Sequence, residues 1–207
     1  MSDPLKKPEA LRPLLNLHDS APQAHRLLQL DAHGEPAVVC TGEALETAIR
    51  DLAAGLAARG WRGERMVLAI TSEQAFMVAF LACLRAGAVA VPAVAPGTVR
   101  NNRRLHHIIT DSGAVAVLVD DAALRQLRLR GADAAALAGC PVLELGELAG
   151  EREPVAGESA QTESLPPDMP AYLQYTSGST RAPRGVVITR AQLAAQLAML
   201  ARCVALA

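Results

Sequence analysis

Aromatic residues are nearly missing from this sequence, with two Phe, two Tyr and one Trp in 207 residues. Its core must therefore close on small aliphatic side chains, and Ala-rich helices lying close to strands suit that composition. Net charge is missing too. Twenty basic and 21 acidic residues leave a formal charge of -1. No overall field draws such a chain to nucleic acid or anionic lipid, so phosphate affinity has to come from a local site. The four cysteines, Cys40, Cys83, Cys140 and Cys203, are too scattered for a CxxC zinc or redox pair. Cys40, Cys83 and Cys203 stand in apolar stretches, where a free thiol acts as a small hydrophobe, and this fits a reducing compartment. No apolar run is long enough to span a membrane. The most apolar stretch, Ala75 to Pro96, is broken by Arg85, Pro92 and Pro96, whereas a membrane helix needs roughly 20 apolar residues. Lys6 and Lys7 are followed by Pro8 and Glu9, which is not a secretory signal. The expectation is a soluble, cytoplasmic chain with no membrane insertion and no nucleic-acid partner.

Hydrophobic residues, by contrast, make up 51% of the chain, and they fall into alternating strand-length and helix-length stretches. Residues 1–35 contain Pro, charge and one weak helical stretch, and read as an N-terminal extension. Pro36 to Cys40 reads as a strand and Thr41 as the cap of a helix carrying Leu45, Ile49, Leu52 and Leu56. Gly60 ends that helix, and Trp61 beyond it is expected to cover the core. Met66 to Ile70 is a second strand. Thr71 to Gln74 has the capping-box pattern with Thr first, and Phe76, Met77, Phe80, Leu81 and Leu84 mark one face of the helix it opens. Gly87 stops this helix before a third strand, Ala88 to Val91. Pro92 and Pro96 then bracket a loop that should not join a central sheet.

Arg100 to Thr110 reads as a helix with Leu105, Ile108 and Ile109 inward. The basic cluster Arg100, Arg103 and Arg104 reads as its solvated face. Ala114 to Val119 is a fourth strand, Asp120 opens a short helix, and Pro141 to Leu145 is a fifth strand. The strands are continuous apolar runs, as in a parallel sheet covered on both faces. The fold class is therefore α/β, a mostly parallel sheet flanked by helices, with residues 36–150 as one subdomain. Residues 151–169 are rich in Glu, Gly, Ser and Pro and read as a linker. Residues 170–207 hold two further strand-like runs, Ala171 to Tyr175 and Val186 to Thr189, and a last helix with the stripe Leu193, Leu197, Leu200 and Val204. That helix shows no closing cap, and the expectation is an incomplete domain. His18, His25 and His33 receive no role, and adjacent His106 and His107 cannot form an i, i+4 metal pair.

Between those last two strands lies Tyr175-Thr176-Ser177-Gly178-Ser179-Thr180-Arg181-Ala182-Pro183-Arg184-Gly185. Thr176, Ser177, Ser179 and Thr180 supply hydroxyl donors. Gly178 allows a positive-φ turn and close backbone approach, and successive N–H groups in such a turn form an anion-binding concavity. Arg184 adds a fork matched to phosphate oxygens. Many donors, close backbone and local positive charge are what a polyphosphate requires. The segment is not a Walker A loop, since no Gly-Lys-Ser/Thr ending is present and a strand, not a helix, follows. It is not a dinucleotide fingerprint, because G-x-G-x-x-G is absent. A bare Ser/Thr/Gly turn is the ordinary alternative, but Y-T-S-G-S-T-x-x-P-x-G-V between two strands is a longer and more specific pattern.

Tyr175 to Val186 resembles the phosphate-binding loop of the adenylate-forming, or acyl-activating, superfamily. Leu173-Gln174, Cys83 to Ala93, and Arg103-Arg104-Leu105 through Asp111-Ser112-Gly113-Ala114 are similar to the fatty acyl-AMP ligase branch, over roughly residues 36–207. Arg184 stands where the superfamily usually has Lys, and Thr189-Arg190 where it commonly has Ser-His. The resemblance implies an ATP-dependent ligase using Mg2+, whose substrate carboxylate attacks the α-phosphate of ATP and releases pyrophosphate. It implies a fatty acid substrate and an acyl carrier protein acceptor. It places Thr176, Ser177, Gly178, Ser179, Thr180, Arg184 and Gly185 at the β- and γ-phosphates, with Thr180 nearest the metal. No complete catalytic set falls within these residues, so the expectation is an N-terminal fragment that is inactive alone. The alternatives are a non-catalytic scaffold or dimerisation module that self-associates through exposed surface, a fragment of an acyl-CoA synthetase or peptide-synthetase adenylation domain, and a nucleotide-binding domain outside the superfamily.

Overall fold

The computed structural model describes residues 26–30, 35–129, 137–150, 165–176 and 183–205. In chain order the elements are β1 (Arg26–Leu30), β2 (Pro36–Thr41), α1 (Gly42–Ala58), β3 (Arg65–Leu68), α2 (Glu73–Ala86), β4 (Val89–Pro92) and α3 (Val99–Ser112). Then follow β5 (Ala116–Val119), α4 (Asp121–Leu129), β6 (Val142–Glu144), α5 (Leu145–Gly150), β7 (Pro170–Thr176), β8 (Arg184–Thr189) and α6 (Arg190–Ala205). The alternation read from the apolar runs builds a six-stranded sheet in the order β6-β5-β3-β4-β7-β8. Its strands are parallel except β8, which runs antiparallel to β7. β1 and β2 form a separate antiparallel pair. The α/β class with a mostly parallel, helix-flanked sheet is as the apolar runs imply.

Both faces of the sheet are buried because successive strand residues point to opposite sides. Met66, Leu68, Ala90 and Leu118 enter one core with Leu45, Ile49, Leu52 and Leu56 of α1 and Leu84 of α2. Val67, Val91, Val117 and Val119 enter the other with Leu105, Ile108 and Ile109 of α3. Small residues permit close layers, as the scarcity of aromatics requires. At Gly55 a Cβ would lie 2.2 Å from the Leu148 carbonyl oxygen, so α1 and α5 touch backbone to helix. Trp61 packs at the margin of the first core under the Arg59 guanidinium, 5.1 Å from the ring centroid. The helix stop expected at Gly87 (φ 74°) holds, while α3 runs past Thr110 to Ser112 before Gly113 (φ 61°) closes it; both glycines take the left-handed conformation without strain.

Several local expectations are corrected. Ser72, not Thr71, caps α2, its side chain accepting from Ala75 N–H at 3.3 Å. The reason is Asp120 at the end of β5, whose Oδ2 accepts from both Thr71 N–H (3.1 Å) and Ser72 N–H (2.8 Å) and fixes the turn one residue later. The buried side of α2 is Ala79, Leu81, Ala82, Cys83 and Leu84, while Phe76, Met77 and Phe80 are half-buried. Pro92 does join the central sheet, as the last residue of β4, opposite Leu68. Ala93 N–H donates to Leu68 O, and alternate strand N–H groups point to opposite sides. The missing donor of Pro92 therefore faces β7, which pairs with β4 only at Ala90 and Tyr172. Strand β1 lies within the stretch read as an N-terminal extension, whose residues 1–25 are outside the described ones, and α5 follows β6 without a break. On α6 Leu193 and Ala194 are buried, but Leu200 is exposed. Of the cysteines, Cys83 and Cys140 are buried, Cys40 is half-buried and Cys203 is exposed.

The stretch read as a linker lies outside the described residues up to 164. Its end is fixed: Arg190 N–H donates to Met169 O at 3.0 Å and Ala191 N–H to Pro167 O at 2.8 Å, tying the start of α6 to the turn before β7.

Candidate functional site

Strand β7 is parallel to β4, so its C-terminal end, Thr176, lies on the same edge of the sheet as the C-terminal ends of β3, β4 and β5. Ligands of open α/β sheets bind at that edge. The hairpin register opposes Thr176 to Arg184, Tyr175 to Gly185 and Gln174 to Val186. A hydroxyl and a guanidinium thus stand side by side where the loop leaves the sheet, both exposed. Ser177, Gly178, Ser179 and Thr180 lie outside the described residues, as does the Thr180 metal assignment. Among the described residues, no group of three His, Cys, Asp or Glu side chains could hold a metal ion. Hydroxyl and guanidinium donors fit an anion, and a Mg2+ ion that arrives already coordinated by the ligand's own phosphates.

On the other face of the hairpin, Tyr175 is buried at 5% exposure, and its Oη–H donates to Asp111 Oδ2 at 2.6 Å. Burial comes first, and the Asp111 hydrogen bond and charge second, in pushing the phenol pKa up, so it stays protonated and keeps donating. The ring lies over Gly185, where a Cβ would approach Tyr175 Cζ to 2.9 Å. Gly185, expected at the phosphates, therefore has a steric task as well. Pro183, just before β8, is also held: His107 Nε2 lies 3.0 Å from its carbonyl oxygen. A carbonyl only accepts, so Nε2 carries the proton. Asp111 and His107 are the residues that sequence reasoning missed. Asp111 was visible only as part of a helix exit, and His107 only as one of an adjacent pair.

A cleft of about 340 Å³ runs beneath the Tyr175 ring, with Arg65, Asp111 and Ser112 as its polar lining. It reaches Gly63 and Val89 near the N-terminal ends of β3 and β4, away from the loop's edge. Arg190 likewise lies at the far end of β8. It is buried at 4% exposure, its Nη2 donates to Leu84 O at 2.9 Å, and burial together with the Arg62 charge lowers its pKa to about 10. The Ser-His to Thr189-Arg190 departure is thus a packing feature of α2 and α6 and does not touch the loop.

The profile of the AMP-binding enzyme family matches residues 28–206. The chain belongs to the AMP-binding enzymes. Within the family it is similar to a medium-chain-fatty-acid–acyl-carrier-protein ligase, JamA, of Moorena producens, with 32% identity over 181 residues, 85% of this chain and 29% of the relative. It is also 32% identical over 158 residues to the long-chain-fatty-acid–AMP ligase FadD28 of Mycobacterium tuberculosis, covering 74% of this chain and 26% of that one. The resemblance read from the loop and its flanks is borne out. Among solved structures, a fatty acyl-adenylate ligase from Legionella pneumophila in complex with acyl adenylate and pyrophosphate matches at a TM-score of 0.64 with 26% identity, over 88% of this chain and 30% of that one. The McyG A-PCP structure with phenylalanyl-adenylate matches at a TM-score of 0.74 over 97% of this chain and 31% of that one. At 22% identity it speaks for the fold alone. The chain spans less than a third of the length of each of these relatives. No helix among the described residues is long and apolar enough to cross a membrane.

Proposed function

We propose that this chain is the triphosphate-holding N-terminal part of an ATP-dependent fatty acyl-AMP ligase. The observation that carries the proposal is the pairing of Thr176 with Arg184 at the C-terminal edge of the sheet, with the hydroxyl-rich segment Ser177 to Thr180 between them in sequence. In this reading Thr176, Ser177, Gly178, Ser179, Thr180 and Gly185 approach the β- and γ-phosphates through hydroxyl and backbone N–H groups. Arg184 neutralises charge on the departing pyrophosphate. The fatty acid carboxylate forms a bond to the α-phosphorus as the bond from that phosphorus to the bridging oxygen breaks, and the electron pair leaves with pyrophosphate. Donors held at that oxygen would stabilise the developing charge without reorganising. Mg2+, which Thr180 would help to hold, would supply further charge neutralisation when bound.

The acyl-adenylate is then passed to an acyl carrier protein, a proposal supported by the similarity to JamA. Cytoplasmic residence is supported by four free cysteines, two of them buried. Because the chain accounts for less than a third of its relatives' length, the proposal assigns it phosphate binding and leaves turnover to the longer enzyme. ATP–pyrophosphate exchange by the 207-residue chain should be null. The deciding measurement is calorimetric titration with Mg·ATP: Arg184→Ala should weaken binding about tenfold, the worth of a charge-assisted hydrogen bond, and Gly178→Val with Arg184→Ala should abolish it. Unchanged affinity in the double variant would falsify the phosphate role.

A second reading, self-association through the sheet edge, is favoured by Val186 and Val187 on edge strand β8, which are exposed at 47% and 50%. Edge strands of this kind invite pairing with a second copy. Sedimentation velocity separates the readings, since a monomer at high concentration excludes this one.

A further inference from the structure

Helix α3 touches both legs of the loop. Asp111 accepts the hydroxyl of Tyr175, the residue before Thr176, at 2.6 Å. His107 donates to the carbonyl of Pro183, the residue before Arg184, at 3.0 Å. Residues 107 and 111 are one helical turn apart, so their side chains leave the same face with Cβ atoms about 5–6 Å apart. The helix that carries them is fixed. Leu105, Ile108 and Ile109 are buried in the core, Thr98 caps the N-terminus through Asn101 N–H, and Gly113 closes the other end.

We propose that His107 and Asp111 are positioning residues, gripping the two legs from one rigid helix and so fixing the spacing and facing of Thr176 and Arg184. This inference rests on the phosphate-binding reading above. Its physical need follows from the topology. β8 is an edge strand, and among the described residues its ladder with β7 runs to the Thr176–Arg184 pair, with no further strand on its outer side to hold that end of the hairpin. Side chains alternate across a strand, so the face that points Tyr175 and Gly185 at α3 points Thr176 and Arg184 the opposite way. Holding Tyr175 and the Pro183 carbonyl to the helix therefore sets where Thr176 and Arg184 stand. Neither His107 nor Asp111 needs to touch a ligand, and neither changes charge in this role.

The test uses the 207-residue chain and four variants: His107→Ala, His107→Gln, Asp111→Ala and Tyr175→Phe. Hydrogen exchange of the peptide spanning residues 170–190 is followed without ligand, and Mg·pyrophosphate affinity by calorimetry. His107→Ala, Asp111→Ala and Tyr175→Phe should each speed exchange at the hairpin ends about five-fold, the worth of one hydrogen bond, and weaken pyrophosphate binding by a similar factor. His107→Gln keeps a terminal N–H donor and should return both readouts toward the parent values, which a loss of packing alone would not do. Circular dichroism identifies any variant that fails to fold, and the Gln variant then carries the comparison. Exchange and affinity unaltered in His107→Ala and Tyr175→Phe, with pyrophosphate bound by the parent, would sink the clamp alone. A parent chain that binds no pyrophosphate would remove the phosphate reading and this inference with it.

Discussion

Replacing Gly185 by Ala is the sharpest probe of how the loop's second leg is seated. The added Cβ would lie 2.9 Å from Tyr175 Cζ and 3.1 Å from both Cε2 and Oη. Non-bonded carbons settle at about 3.5–4.0 Å, so the ring has to recede by roughly 0.6–1 Å. It cannot do so freely, because it is buried and its hydroxyl sits 2.6 Å from Asp111. Overpacking of this kind costs about 1–3 kcal/mol. Stretching the hydrogen bond adds a smaller amount, because Asp111 is exposed and water can replace the phenol. Against this, Ala restricts the unfolded chain and returns about 0.4–1 kcal/mol. The net expectation is a loss of about 1–2 kcal/mol, which for a chain of this size lowers Tm by roughly 2–8 °C. Thermal unfolding and urea titration measure it. The decisive control is the same substitution in a Tyr175→Ala background, where the ring is gone and Gly185→Ala should become neutral or stabilising. A single variant as stable as the parent would refute the steric account of Gly185.

Three other outcomes follow from the packing. Gly55→Ala, which in an exposed helix would add stability, should instead destabilise by about 2 kcal/mol in urea titration, since its Cβ would sit 2.2 Å from the backbone oxygen of Leu148; a gain in stability would contradict the close α1–α5 contact. Asp120→Ala removes the acceptor of three N–H groups, those of Thr71, Ser72 and Ala123, and should cost about 2–3 kcal/mol, while Asp120→Asn, which keeps one oxygen, should cost less. Burial pushes the Cys83 thiol from 9.0 up to about 12. An unfolded thiol ionises near its ordinary value while the folded one stays protonated, so stability falls as pH rises from about 9 toward 12, by up to about 1.4 kcal/mol per pH unit. Cys83→Ala should flatten that slope in denaturant titrations above pH 9, and an unchanged slope would count against it.

What the sequence made legible was the part of the fold that depends on runs and periods. Continuous apolar stretches announced strands covered on both faces, and Leu45, Ile49, Leu52 and Leu56 announced the buried stripe of α1. Contacts between distant segments left no such trace. The cap of α2 moved to Ser72 because Asp120, 48 residues away, takes the Ser72 amide. Pro92 looked barred from a central strand because nothing local tells that β7 reaches β4 at one residue pair only. At the site, the loop's hydroxyls and Arg184 suggested a polyphosphate pattern, which remains the basis of the proposal. The partners that hold its legs, 64 residues away at Asp111 and 76 at His107, could be found only once the chain was folded.

The pairing of Ala90 with Tyr172 also bears on the order in which the molecule assembles. Strands β3 and β4, and β5 and β6, are each joined through one short connection, so those units can form from nearby chain. The hairpin of β7 and β8 has to be captured across roughly three times that span, at an added closure cost of only about 1 kcal/mol. Equilibrium stability barely registers so small a penalty, but the hairpin still has to wait for a strand to dock against. It should therefore be among the last parts to gain protection during refolding and among the first to lose it, which would make the proposed phosphate binding the late product of folding in this chain.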